Sequence, residues 1–136
     1  MGSAALLLMV SPIETALQIA AKCGDTRTLS RLIAEGVDAR TVDIHSNTIL
    51  ILAAFGGHRG TVEWLLDQGT NPNETTAYGF TALMAAAQSG HSDVASLLVK
   101  RGASVDRRAN NGCTAADFAR EAGHLELSVL LKPDTP

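Results

Sequence analysis

Residues Gly79–Gly102 read GFTALMAAAQSGHSDVASLLVKRG. The stretch holds a hydroxyl residue, a short apolar helical pattern stopped at Gly90, and a second apolar pattern closed by Gly102. Thr81 stands where its side-chain oxygen can accept from a free backbone N–H one turn on. Gly90 and Gly102 stand where each helix must stop, because glycine takes the left-handed conformation without a Cβ clash. Helices of about nine residues do not persist alone in water, where even roughly 12–15 residues are marginal. The unit needs neighbours.

The chain supplies them. A shift of 33 residues carries Thr81 back onto Thr48 and Thr15 and forward onto Thr114. The same shift relates Gly90 to Gly24, Gly57 and Gly123, Gly102 to Gly36 and Gly69, and His91 to His58 and His124. A fixed period of this kind is the mark of a solenoid. Thr-Ala-Leu-Met-Ala-Ala, Gly-His and Leu-Leu-x-x-x-Gly resemble the ankyrin repeat, with its T-P-L-H-x-A core, over residues 14–131. The resemblance implies an all-α ankyrin repeat stack, an α-solenoid with short β-turn fingers. It also implies a binding scaffold, a class with many unrelated partners. The expected organisation is one domain: an N-terminal segment 1–13, then repeats 14–40, 41–73, 74–106 and 107–136.

Composition narrows the function. In 136 residues, four repeats leave no room for a separate catalytic domain. Apolar residues make up 46% but aromatics only 4%, so alanine and leucine fill the core, as closely stacked short helices require. A net charge of −3 argues against a general nucleic-acid binder. No run of about 20 apolar residues offers a membrane span. Cys23 and Cys113 lie three repeats apart, too far for a disulfide when packed helices are roughly 8–10 Å apart. A reducing compartment, cytoplasmic or nuclear, is therefore expected. The apolar run Ala4–Val10 lacks the basic flank of a secretory signal. It is read as cover for the exposed end of repeat 1, or as a surface for self-association.

Along the chain, the first helix is expected over Ala16–Cys23, with Leu17, Ile19, Ala20 and Ala21 turned toward the next repeat. Arg31 occupies the column of Trp64, Leu97 and Leu130, which suits a more polar terminal repeat. The family's proline after the threonine is replaced by Ala16, Ile49, Ala82 and Ala115. Its aspartate at the start of each finger is kept at Asp43 and absent at Thr76 and Ala109. Arg120 and Lys132 stand where a fifth repeat would pack, and are expected to close the stack. Lys100 and Arg101 suit a helix C-terminus.

No reactive constellation emerges. His58, His91 and His124 fall one repeat apart, whereas one zinc needs each nitrogen at about 2.0–2.1 Å. They are expected to start the second helices and bond nearby backbone. His91-Ser92-Asp93 is a triad only in writing, since triads assemble in space. Asn73-Glu74-Thr75 matches a glycosylation acceptor but is expected to be idle. The chain is expected to be no enzyme and to hold no cofactor and no metal.

The resemblance places partner contacts on the finger tips and on the inner face of each first helix. In this sequence those positions include Ile44, His45, Asn47 and Phe55 in repeat 2, and Tyr78, Phe80 and Gln88 in repeat 3. In repeat 4 they include Arg108, Asn110 and Asn111. Ile44, Phe55, Tyr78 and Phe80 are apolar where the period demands none, and they fall on adjacent repeats. An exposed apolar patch marks a site, and aromatics are frequent energetic centres of interfaces. The alternative is that Phe55 and Phe80 pack down against the finger base. The expectation is a protein–protein interaction module, an adaptor or inhibitor, gripping another protein through the concave surface of repeats 2 and 3. A monomer is expected, with no nucleic-acid or membrane partner. The alternative is a homo-oligomer built through the apolar N-terminal segment.

Overall fold

The computed structural model describes residues 12–40, 42 and 46–133. Among them are eight helices in four antiparallel pairs: α1 (Pro12–Cys23) with α2 (Thr26–Ala34), α3 (Ile49–Phe55) with α4 (Arg59–Asp67), α5 (Ala82–Ser89) with α6 (Ser92–Lys100), and α7 (Ala115–Glu121) with α8 (Leu125–Leu130). The first helices pack along one another as an inner layer and the second helices form an outer layer. Ala53, Ala54, Ala85, Ala86, Ala87 and Ala119 are fully buried. Side chains this small let the inner helices approach closely, while Leu29, Leu65 and Leu98 fill the space beneath the outer layer.

The threonine series caps three of the inner helices. Thr48 Oγ1 accepts from Ile51 N at 3.2 Å and Thr81 Oγ1 from Met84 N at 3.2 Å. Thr114 Oγ1 accepts from Asp117 N at 3.3 Å, while Asp117 Oδ2 accepts from Thr114 N at 3.0 Å, a reciprocal capping box. Each such cap contributes about 1 kcal/mol. Thr15 departs from the series. It falls inside α1, which starts four residues earlier than expected, at Pro12. Proline at a first helical position is pre-set for the helix and lacks an N–H that would have no partner there.

Successive pairs are tied by side chains that reach back one repeat. His58 Nε2 donates to the Lys22 carbonyl at 2.7 Å, and His91 Nε2 to the Phe55 carbonyl at 3.0 Å. Both carbonyls lie in the last turn of an inner helix, where intrahelical partners run out. His58 and His91 thus bond backbone, as expected, but of the preceding repeat rather than their own. Each occupies an outer-helix N-cap position without making a cap bond. Asp25 holds the equivalent place in the first described pair, where no described helix precedes it. It caps α2 itself, accepting from Thr28 N at 3.1 Å. Hydrogen bonds from Thr28, the hydroxyl foremost, hold its carboxyl below the usual aspartate range. Asn73 adds a further tie, donating to Gly102 O at 3.0 Å and accepting from Ser104 N at 2.8 Å. The amide of the would-be glycosylation acceptor is thereby occupied. Arg101 pairs with Asp67 across repeats at 2.9 Å, a partner that the helix-terminus reading did not foresee.

The ends of the stack differ from its middle. Ile19, expected to face the neighbouring repeat, is 54% exposed. It shares a column with buried Leu52 and Ala85 and with Phe118, whose ring meets Phe80 ahead of it in the chain, and no described helix precedes α1. Arg120 is exposed in the column where Ala21, Ala54 and Ala87 are buried. Cys23 and Cys113 are both free thiols. The segment Ala4–Val10, with its expected covering or self-associating role, lies outside the described residues, as do Asp43, Ile44 and His45.

Candidate functional site

Between α4 and α5 the chain turns at Ala77-Tyr78, closed by Thr76 N to Phe80 O at 2.9 Å and Gly79 N to Thr76 O at 3.0 Å. Buried Thr76 does the work of the missing aspartate. Its Oγ1 accepts from Tyr78 N at 3.1 Å and from Phe80 N at 3.3 Å. In the next finger Ala109 cannot do this, and Asn111 Oδ1 instead accepts from Cys113 N at 3.0 Å. The fingers are laced to one another. Ser46 Oγ accepts from Ala77 N at 2.8 Å, Tyr78 O from Asn110 N at 2.9 Å, and Ala77 O from Asn110 Nδ2 at 3.2 Å. Ser46 takes a positive φ of 60°, matching Gly79 and Gly112 at 75° and 86° in the equivalent places. A non-glycine residue held in that region reflects a constraint from its surroundings.

Below the fingers runs a row of rings. Phe55 and Phe80 stack with centroids 5.5 Å apart, and Phe80 meets Phe118 edge-on at 5.2 Å. All three are half-buried and pack on the core. The apolar patch expected on the surface is therefore partly drawn inward, because each phenylalanine gains more from its ring neighbours and the alanine layer than from water. Among the described members of that patch Tyr78 alone stands out, 69% exposed. It and Phe80 line two cavities. One, about 490 Å³, is completed by Ala109, Asn110, Asn111 and Phe118. The other, about 250 Å³, is completed by Asn47, Phe55 and Thr76.

The structure thus brings Asn47, Phe55, Tyr78, Phe80, Asn110 and Asn111 around two cavities that share a wall. Gln88 is exposed near the end of α5 and lines neither. Arg108 leaves the group. Its guanidinium donates to Gly112 O at 2.7 Å and lines a different cavity at the α7–α8 end. Ile44 and His45 lie outside the described residues. Phe118 is the member that sequence reasoning missed. Its column mates Leu52 and Ala85 are buried core residues, so its column does not mark it as a surface position. The 33-residue shift carries Phe118 onto Ala85 and Phe80 onto Cys113, so no spacing in the sequence pairs the rings. Among the described residues no three His, Cys, Asp or Glu side chains gather as a metal site would need, and no helix is long and apolar enough to cross a membrane.

A family model described as ankyrin repeats (3 copies) matches residues 3–76 and, overlapping, residues 59–134. No curated protein matches the chain at a significant level.

Proposed function

Because the chain belongs to the ankyrin-repeat family, whose members generally act as protein–protein interaction modules, we propose that it grips one partner protein through its concave finger surface, as an adaptor or inhibitor. The observation that carries this reading is the pair of adjoining cavities walled by Tyr78 and Phe80. Their walls are mostly aromatic or aliphatic, and asparagine amides stand at Asn47, Asn110 and Asn111. Such a wall suits two neighbouring apolar side chains of a partner segment, with the amides available to its backbone. Rigidity helps. The fingers are bonded to one another before any partner arrives, so binding loses little ordering entropy. The free thiols of Cys23 and Cys113 support placing this function in a reducing compartment, cytoplasm or nucleus.

Tyr78→Ala is the direct test, since the side chain is exposed and its loss leaves the core packing alone. Proteins retained by the intact chain from its native cell, measured by quantitative mass spectrometry, should be lost with the variant at unchanged thermal stability. Retention of the same set at the same yield would refute the concave reading.

A further inference from the structure

The last outer helix carries apolar side chains in columns that the other pairs keep polar. By the 33-residue period, Leu125 takes the place of Thr26, Arg59 and Ser92, and Val129 that of Ser30, Glu63 and Ser96. Arg59, Ser92, Ser30, Glu63 and Ser96 are all exposed. Ser30, Glu63 and Ser96 face water even where another pair follows, and Thr26 and Arg59 reach the following pair only through polar groups, Thr61 Oγ1 at 2.8 Å and Asp93 O at 2.6 Å, so stacking does not call for apolar residues in either column. Leu125 and Val129 are 64% and 73% exposed and lie four residues apart, on one face of α8. Leu130, 71% exposed, adjoins them.

Beside this stripe is the cavity that Arg108 lines, about 360 Å³ in volume. Arg120, Lys132 and Val129 also line it, with Asp117 as its one carboxylate. Three cations around one hollow stand out in a chain of net charge −3. Arg120 Nη2 meets Asp117 Oδ1 at 3.2 Å, and one nitrogen of Arg108 is taken by Gly112 O. Lys132 is exposed. Val129 belongs to both features, so the apolar stripe and the basic hollow form one surface.

We propose that this end of the stack is a second docking surface, taking an acidic amphipathic segment of a partner protein. Apolar side chains of that segment cover Leu125 and Val129, and its carboxylates face Arg108, Arg120 and Lys132. Charge decides against a second copy docked symmetrically by the same end, since that would set the three cations against three more. The surface is separate from the concave face, and the proposal does not depend on the role of Tyr78.

The full chain, labelled with nitrogen-15, is titrated with a designed helical peptide bearing leucines four residues apart flanked by glutamates. Amide shifts are expected along α8 and at Arg120 and Lys132, with binding that weakens as salt rises. Leu125→Ser with Val129→Ser should weaken it about tenfold. These are the residues that α6 carries in the same columns, at Ser92 and Ser96, so the fold tolerates them. Arg120→Gln with Lys132→Gln should weaken it comparably, whereas Tyr78→Ala should leave it unchanged. Three results would overturn the proposal: no shifts at this end, equal binding of a peptide with lysines in place of the glutamates, or the same shifts from inorganic phosphate alone. Self-association abolished by the serine pair would assign the stripe to a second copy and overturn it as well.

Discussion

Gly57→Ala tests how much of the stack depends on its backward-reaching histidines. Gly57 has φ +72°, and a Cβ there would lie 2.7 Å from the His91 ring. The left-handed backbone alone costs alanine about 1–2 kcal/mol. Displacing the ring also breaks its 3.0 Å bond to the Phe55 carbonyl, worth about 1 kcal/mol more. The sum is about 2–3 kcal/mol. Gly123→Ala is the control, because it holds the same place two repeats on, also left-handed at φ +88°, but nothing lies within 4 Å of the added carbon. It should cost only the backbone share, about 1–2 kcal/mol. Urea unfolding of both variants, of His91→Ala, and of Gly57→Ala with His91→Ala completes a double-mutant cycle. The double variant should fall short of the summed losses by about 1 kcal/mol. Additive losses, or equal costs at Gly57 and Gly123, would show that the histidine does not hold the pairs together.

Further outcomes follow from the caps. Thr81 is already extended at φ −111° and ψ 168°, as a residue before proline must be. Restoring the family's proline by Ala82→Pro should therefore stabilise the chain by about 0.4–1 kcal/mol; a lowered thermal midpoint would show that the Ala82 N–H has a native partner. The Asp117 carboxyl is held below its usual range, chiefly by the Thr114 N–H and in part by its hydroxyl and by Arg120. Its contribution is complete above the unfolded-state value of about 3.9 and is lost as pH falls through the lower folded-state value. Asp117→Ala should flatten the acid limb of a stability–pH profile, and an unchanged limb would show that the box contributes nothing.

The fold was legible because its signals are local and repeated. Thr48, Thr81 and Thr114 cap helices, and Gly57 and Gly90 turn them, by rules that involve only a few adjacent residues. Thr15 breaks the series because a neighbouring signal, Pro12, starts the helix earlier. The site was harder to read, since it depends on what faces what. Asn47, Tyr78, Asn110 and Asn111 followed from their finger positions. The inward turn of Phe55 and Phe80 depended on Phe118, a ring in another repeat. The histidines bond carbonyls 36 residues upstream, and no local pattern specifies such a partner. Arg108 shares its finger with Asn110 yet turns to the far side, a rotamer choice that spacing does not encode.

The lacing of the fingers has a practical corollary for anyone working with fragments. Tyr78 belongs to one helix pair, but its backbone carbonyl is secured by Asn110 of the next. A piece of the chain cut before that asparagine would retain Asn47, Phe55, Thr76, Tyr78 and Phe80 in full, and so would look complete on paper. Its tyrosine would nonetheless swing on a hinge fastened from one side only, and weak binding by such a piece would reflect the cut rather than the surface.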